Sequence, residues 1–149
     1  MVDQYDPIDL AYTLAARRSK FFQLAFAVAD ADSPSSALDE ATMTLGKSSP
    51  TAQSVGFIFT GQGAQWAGMG SQLFAEYDSY RRTIRYLDSI LRKVPEPPDW
   101  CIESALLEPA ATSRIQDSEL SQPLCTALQI ALVDLLLLWN VKPVAAVGH

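Results

Sequence analysis

The sequence has one histidine, His149, at its last position, and two cysteines, Cys101 and Cys125. A single histidine excludes a metal site built from several histidines, and the cysteines lack metal-binding or redox spacing, so free, mostly buried thiols in a reducing compartment are expected. Positive charge is scarce. Eleven Lys and Arg against 17 Asp and Glu leave a net charge of −6, which argues against a nucleic-acid-binding surface. The two small basic clusters, Arg17, Arg18 and Lys20 and then Arg81, Arg82 and Arg85, read as solvated faces. The first six residues are acidic and have no apolar core, so they are not a signal peptide. The most apolar run, residues 124–139, contains Gln129 and Asp134 and is short for a bilayer span. No Gly-Lys-Ser/Thr follows a glycine-rich turn, which excludes a phosphate-binding P-loop. No internal repeat is present. A soluble, cytoplasmic protein with no metal, no nucleic-acid partner and no membrane partner is expected.

What the chain does have is apolar content. It is 48% hydrophobic and 19% charged over 149 residues, enough for one ordinary domain or parts of two. The stretch at 55–66 (VGFIFTGQGAQW) organises the reading. Val55, Phe57, Ile58 and Phe59 are β-favouring and predict a buried strand. Gly61 and Gly63 flank Gln62 and allow positive φ or close approach. A helical pattern from about Gln65 follows. Strand, glycine turn and helix start together can offer backbone N–H groups to an anion or oxyanion; equally, the glycines serve only to make a βα turn. A dinucleotide fingerprint fits poorly, because Trp66 stands where a third small residue is needed and the acidic residue expected about 20 positions on is not well placed, Asp78 and Asp88 bracketing the spot.

Upstream, Asp6-Pro7 reads as an N-cap and first helical residue, with a helix to about Arg18. Residues 21–29 alternate with period two and predict a strand burying Phe22, Leu24, Phe26 and Val28. A helix from Ala37 to about Leu45 and a loop over 46–51 follow, a unit that needs partner strands from elsewhere. Downstream, Tyr77, Tyr80, Ile84, Leu87 and Leu91 step by three and four, with Asp78–Arg82 and Asp88–Arg92 as ion pairs on the wet face. Asp99 is the expected cap of a short helix through Ile102 and Leu106. The longest helix is expected at about 122–140, with Pro123 in its first turn and apolar residues all round, hence buried and central. Residues 144–147 predict a fully apolar parallel strand. With Gly148-His149 after it and nothing to cover it, the strand predicts a fragment. A glycine turn after one strand and the start of a Gly-x-Ser-x-Gly elbow after another would meet at the carboxyl edge of a parallel sheet.

Three motifs carry a family resemblance. Residues 57–70 (FIFTGQGAQWAGMG) resemble the opening motif of acyltransferase domains in type I polyketide synthases, relatives of malonyl-CoA:acyl-carrier-protein transacylases. Residues 121–135 (SQPLCTALQIALVDL) resemble their central helix, and residues 139–149 (WNVKPVAAVGH) resemble the approach to their Gly-His-Ser-x-Gly-Glu elbow. Residues 10–19 (LAYTLAARRS) and the strand after them resemble the linker between ketosynthase and acyltransferase domains. The flavour is that of a fungal reducing synthase. The implied fold is α/β: a truncated hydrolase-like parallel-sheet subdomain over 51–149, preceded by a small α/β linker subdomain over 1–50.

The resemblance implies ping-pong acyl transfer. A serine takes a malonyl group from coenzyme A and passes it to the phosphopantetheine thiol of an acyl carrier protein; a histidine acts as base and an arginine holds the malonyl carboxylate. It assigns to Gln62 a backbone N–H of the oxyanion hole. Gly61 and Gly63 shape the turn, Gln65 borders the site, and Gln122 lies near the substrate. His149 matches the residue before the nucleophile and is not the base. The serine, the catalytic histidine and the arginine would lie beyond residue 149, so the chain alone is expected to be inactive, with no bound cofactor. The implied partners are carrier-protein and ketosynthase domains and a coenzyme A thioester. The alternative is a non-catalytic interaction or scaffold module that docks onto synthase domains.

Overall fold

The computed structural model describes residues 4–148 except Ala31, Ser33, Glu40, Ala41, Pro50, Ala52 and Gln62. The chain forms two compact units, residues 1–53 and 54–149.

In the first unit, helix α1 spans Pro7–Ala16. Asp6 Oδ1 accepts hydrogen bonds from the N–H groups of Ile8 (2.8 Å) and Asp9 (3.2 Å), and Pro7 occupies the first helical position, as the sequence predicts. The expected strand is real but shorter: β1 is Gln23–Phe26. It pairs antiparallel with β2, Thr44–Lys47, placing Ala25 opposite Leu45. The expected helix over 37–45 is therefore corrected. A 3-10 turn covers Pro34–Leu38, and Thr42 closes it, its N–H and hydroxyl both donating to the Asp39 carbonyl at 2.9 and 2.8 Å. Two β-branched threonines, Thr42 and Thr44, disfavour a continuing helix, and residues 44–47 supply the partner strand that the sequence reading sought elsewhere. The bulky face is not buried within this unit: Phe22, Phe26 and Val28 are exposed, since two short strands have no layer to pack against.

In the second unit, β3 (Val55–Phe59) and β4 (Pro143–Gly148) form a parallel pair, with the register Phe57↔Ala146, Ile58↔Val147 and Phe59↔Gly148. Four helices connect them: α2 (Ser71–Glu76), α3 (Asp78–Leu91), α4 (Ile102–Leu107) and α5 (Ser118–Leu138). The core lies among the helices. Tyr80, Ile84, Ile102, Leu106, Ile115, Leu120, Leu124, Ala127 and Ala131 are all buried in one cluster. The strands are less covered than expected. Phe57 and Phe59 are half-buried, while Ile58 is 78% and Val147 63% exposed.

Several local readings are corrected. Helix α2 begins at Ser71, not at Gln65, because Gly68 (φ 81°) and Gly70 (φ 79°) adopt left-handed backbone that ends any helical run. Helix α5 begins at Ser118, so Pro123 lies inside it rather than in its first turn. At 21 residues α5 is long and apolar enough to cross a bilayer by length and composition, which is weak evidence for a span because a core helix passes the same test. Its buried residues form one stripe (Leu120, Ser121, Leu124, Ala127, Ala131 and Leu135), whereas Ile130, Leu137 and Leu138 are exposed. It is not buried all round.

Asp88 is a further correction. It does not serve as a wet-face partner of Arg92. It is 8% exposed, and its carboxylate accepts the N–H groups of Ile102 (2.5 Å) and Glu103 (3.0 Å), capping α4 from α3. The N-cap position of α4 is Cys101, which makes no side-chain cap bond of its own, so Asp99 is not the cap. Glu103 in turn receives two hydrogen bonds from Arg85, at 2.8 and 3.0 Å, and this lowers its carboxyl pKa. On the wet face Asp78 pairs with Arg81 (2.8 Å), one residue before the expected Arg82.

Two predictions follow from these contacts for a domain containing residues 54–149. Asp88→Ala strands two helix-start N–H groups and removes a charge-assisted acceptor. It should cost about 2–3 kcal/mol in denaturant-derived stability, with Asp88→Asn between it and wild type. Gly70 has left-handed backbone, and an added Cβ would lie 2.5 Å from Tyr80 Oη. Gly70→Ala should cost about 2–4 kcal/mol. That hydroxyl is buried without a partner, and burial raises the phenol pKa to about 12. Tyr80→Phe should be near neutral alone and recover part of the Gly70→Ala loss in a double-mutant cycle.

Candidate active-site edge

The glycine turn begins where β3 runs out. Gly61 is half-buried, Gly63 has φ 107°, and Gln62 between them lies outside the described residues. A Cβ at Gly63 would meet nothing within 4 Å, so glycine is required there for backbone conformation and not for space. The Gly63 N–H donates to Gln65 Oε1 at 2.6 Å. Gln65 Nε2 donates to Gln116 Oε1 (3.0 Å), and Gln116 Nε2 donates to the Gln65 carbonyl (3.2 Å). One residue before the turn, the Thr60 carbonyl accepts from Gln129 Nε2 on α5 at 2.8 Å. Three neutral amides thus hold both sides of the turn. They bring no fixed charge to it.

The parallel register brings the end of β4 to the same edge. Gly148 lies opposite Phe59, and a Cβ on it would sit 3.2 Å from Phe59 Cβ. The start of the glycine turn and the end of β4 thus meet at the kind of carboxyl-end edge where α/β sheets bind ligands. Of the sequence-expected residues, Gly61, Gly63 and Gln65 stand here together. Gln122 is exposed on the second turn of α5. Gln62 and His149 lie outside the described residues. Sequence reasoning missed Gln116 and Gln129 as participants. Gln129 carried a signal, a lone amide in an apolar helical run; Gln116, in a polar connection, carried none.

A groove of about 250 Å3 beside the end of β3 is lined by Phe59, Thr126, Gln129, Ile130, Val133 and Asp134. A larger open cleft of about 900 Å3, with Arg92, Trp100, Cys101 and Arg114 in its walls, contains none of the turn residues. Both cysteines are free and half-buried, and burial raises the Cys125 thiol pKa, which keeps it protonated and a weak nucleophile. Among the described residues no three His, Cys, Asp or Glu side chains cluster as a metal site.

Residues 56–149 match the sequence model of a family described as acyl transferase domain. The chain is 53% identical over 150 residues to the reducing polyketide synthase BOA9 of Botryotinia fuckeliana (strain B05.10), covering 100% of this chain and 6% of that protein. It is 50% identical over 141 residues to prosolanapyrone synthase of Alternaria solani, covering 95% of this chain and 5% of that protein. The chain therefore spans only about one-twentieth of the length of these relatives. Among solved structures, the acyl transferase domain of ZmaA superposes with a TM-score of 0.74 at 23% identity, over 95% of this chain and 34% of that one. A loading acyltransferase from the avermectin modular polyketide synthase superposes with a TM-score of 0.56 at 33% identity, over 63% of this chain and 29% of that one.

The geometry of the turn yields a clean backbone test. Gly63→Ala introduces no clash, so its cost is conformational strain alone. A loss of about 1–3 kcal/mol is expected, read as a lower denaturant midpoint at unchanged m-value.

Proposed function

This chain belongs to the acyl transferase domain family, and we propose that it is the amino-terminal part of the acyltransferase domain of a fungal reducing polyketide synthase, with residues 1–50 as the linker from the ketosynthase domain. The observation that carries this reading is the pairing of Phe59 with Gly148. It brings the start of the glycine turn beside the end of a strand whose sequence resembles the approach to the family's serine elbow.

In the complete protein the serine after His149 attacks the thioester carbonyl of malonyl-CoA. Its proton passes to a histidine further along, the oxygen–carbon bond forms, and the carbonyl oxygen becomes an oxyanion. The tetrahedral intermediate then collapses, the carbon–sulfur bond breaks, and the histidine returns the proton to the departing coenzyme A thiolate. The phosphopantetheine thiol of an acyl carrier protein repeats the sequence in reverse on the acyl-serine. Two backbone N–H groups serve the oxyanion, one from the residue after the serine and one from the glycine turn. The family resemblance assigns the turn's donor to the N–H of Gln62; the neighbouring Gly63 N–H donates to Gln65. Gly61 and Gly63 give the turn its shape, Gln65 secures it, and Gln122 borders the substrate. An arginine further along holds the malonyl carboxylate. The protein acts in the cytoplasm.

The test compares a polypeptide of residues 1–149 with the full-length synthase, each incubated with radiolabelled malonyl-CoA. The expected result is stable serine-bound label on the synthase and none on residues 1–149. Serine-bound label on the short polypeptide, or none on the synthase, overturns the reading. Recovery of a stable complex between the short polypeptide and ketosynthase or carrier domains, with an unlabelled synthase, would favour a docking module.

A further inference from the structure

Gln116 comes from a connection with no regular structure of its own, yet it is firmly placed. Its neighbour Ile115 is 2% exposed within the helical core. The Asp117 N–H donates to the Arg114 carbonyl at 2.9 Å, and Arg114 Nε donates to the Asp117 carboxylate at 2.9 Å. Asp117 is also the N-cap residue of α5. The side chain of Gln116 is therefore presented from the base of the long helix. From there it makes two hydrogen bonds to Gln65, 51 residues away, one to the side chain and one to the main chain.

The side-chain contact holds one end of the Gln65 amide and the Gly63 N–H holds the other, while the second contact holds the Gln65 main chain. Gln116 Oε1 can only accept, so it holds Gln65 Nε2 on its own side and turns Gln65 Oε1 toward the Gly63 N–H. We propose that Gln116 is a positioning residue for acyl transfer, acting through the Gln65 amide to orient the glycine turn that offers the oxyanion its backbone N–H. This rests on the acyltransferase reading above. Removing Gln116 leaves the Gln65 amide free to rotate and the Gly63 N–H without a fixed acceptor. The turn then loosens without any contact to substrate being lost. Displacement of a catalytic group by even about 1 Å costs up to about 100-fold in rate.

The experiment uses the full-length synthase, with Gln116→Ala and Gln116→Glu. Malonyl-CoA acylation of the serine is followed in single turnover and at steady state, and hydrogen exchange is measured on peptides covering residues 61–66. Gln116→Ala is expected to lower the acylation rate roughly 10- to 100-fold with KM little changed, and to speed exchange in 61–66. Gln116→Glu keeps the acceptor for Gln65 Nε2, loses the donor to the Gln65 carbonyl and adds a negative charge near the oxyanion, so it should recover part of the protection but not the rate. Wild-type rate and exchange in Gln116→Ala would overturn the proposal, as would a rise in KM at unchanged kcat. A wild-type synthase that takes no acyl label would instead sink the acyltransferase reading, and the exchange measurement would still decide whether Gln116 holds the turn.

Discussion

The second unit depends on the burial of one stripe of α5. Leu124 and Ala131 are completely buried, and Tyr80 and Ile84 of α3 are equally so in the same cluster. Burying a large apolar side chain contributes about 1.5–3 kcal/mol relative to exposure, and this cluster contains several. The small residues Ala127 and Ala131 let neighbouring side chains approach the helix closely. Once α5 is fixed against α3 and α4, its other features acquire position. Its start carries the turn with Gln116, its middle carries Gln129 to the Thr60 carbonyl, and its end leads into β4. The site edge is thus built on the helical core, and the two-stranded sheet is carried by it.

Much of this was legible where the signal is local. The Asp6-Pro7 start, the stripe from Tyr77 to Leu91, and both parallel strands follow from caps and periodicity over a few residues. Most of the errors share a cause: a partner far away in sequence. Asp88 looks like half of a surface ion pair because Arg92 is four residues on, but the α4 amide groups that claim it are 14 and 15 residues away. Pro123 resembles a helix start because proline favours a first turn, yet burial of Leu120 and Ser121 extends the helix backward past it. Gly68 and Gly70 look like weak spots in a helix when their positive φ ends it. Residues 44–47 pair with β1, and only that pairing shows they are not helical.

The site divides in the same way. Gly61, Gly63 and Gln65 could be named from their spacing after a strand. Their meeting with the end of β4 could be anticipated from topology, because strands joined by helices lie parallel and leave at one edge. Gln116 could not be named, because a glutamine in a polar connection has no pattern to distinguish it from solvated neighbours. Its role is visible only as a set of distances. Gln129 lies between these cases: a polar residue tolerated in an apolar helix needs a hydrogen-bond partner, although the sequence cannot say which carbonyl provides it.

The parallel register of β3 and β4 also governs the order in which the unit can be made. Roughly 90 residues separate Val55 from its partner Pro143. At about 5–20 residues per second of synthesis, β3 leaves the ribosome some 5–20 s before a partner strand exists. Helices α2, α3 and α4 close on microsecond timescales by comparison. Throughout that interval Phe57, Ile58 and Phe59 form an unpaired, apolar strand edge, the kind of segment that recruits wrong partners. Gln129 is made before β4, so the partner of the Thr60 carbonyl exists before the partner strand does. The hydrogen bond that borders the site in the finished molecule thus joins β3 to a residue made earlier than its partner strand.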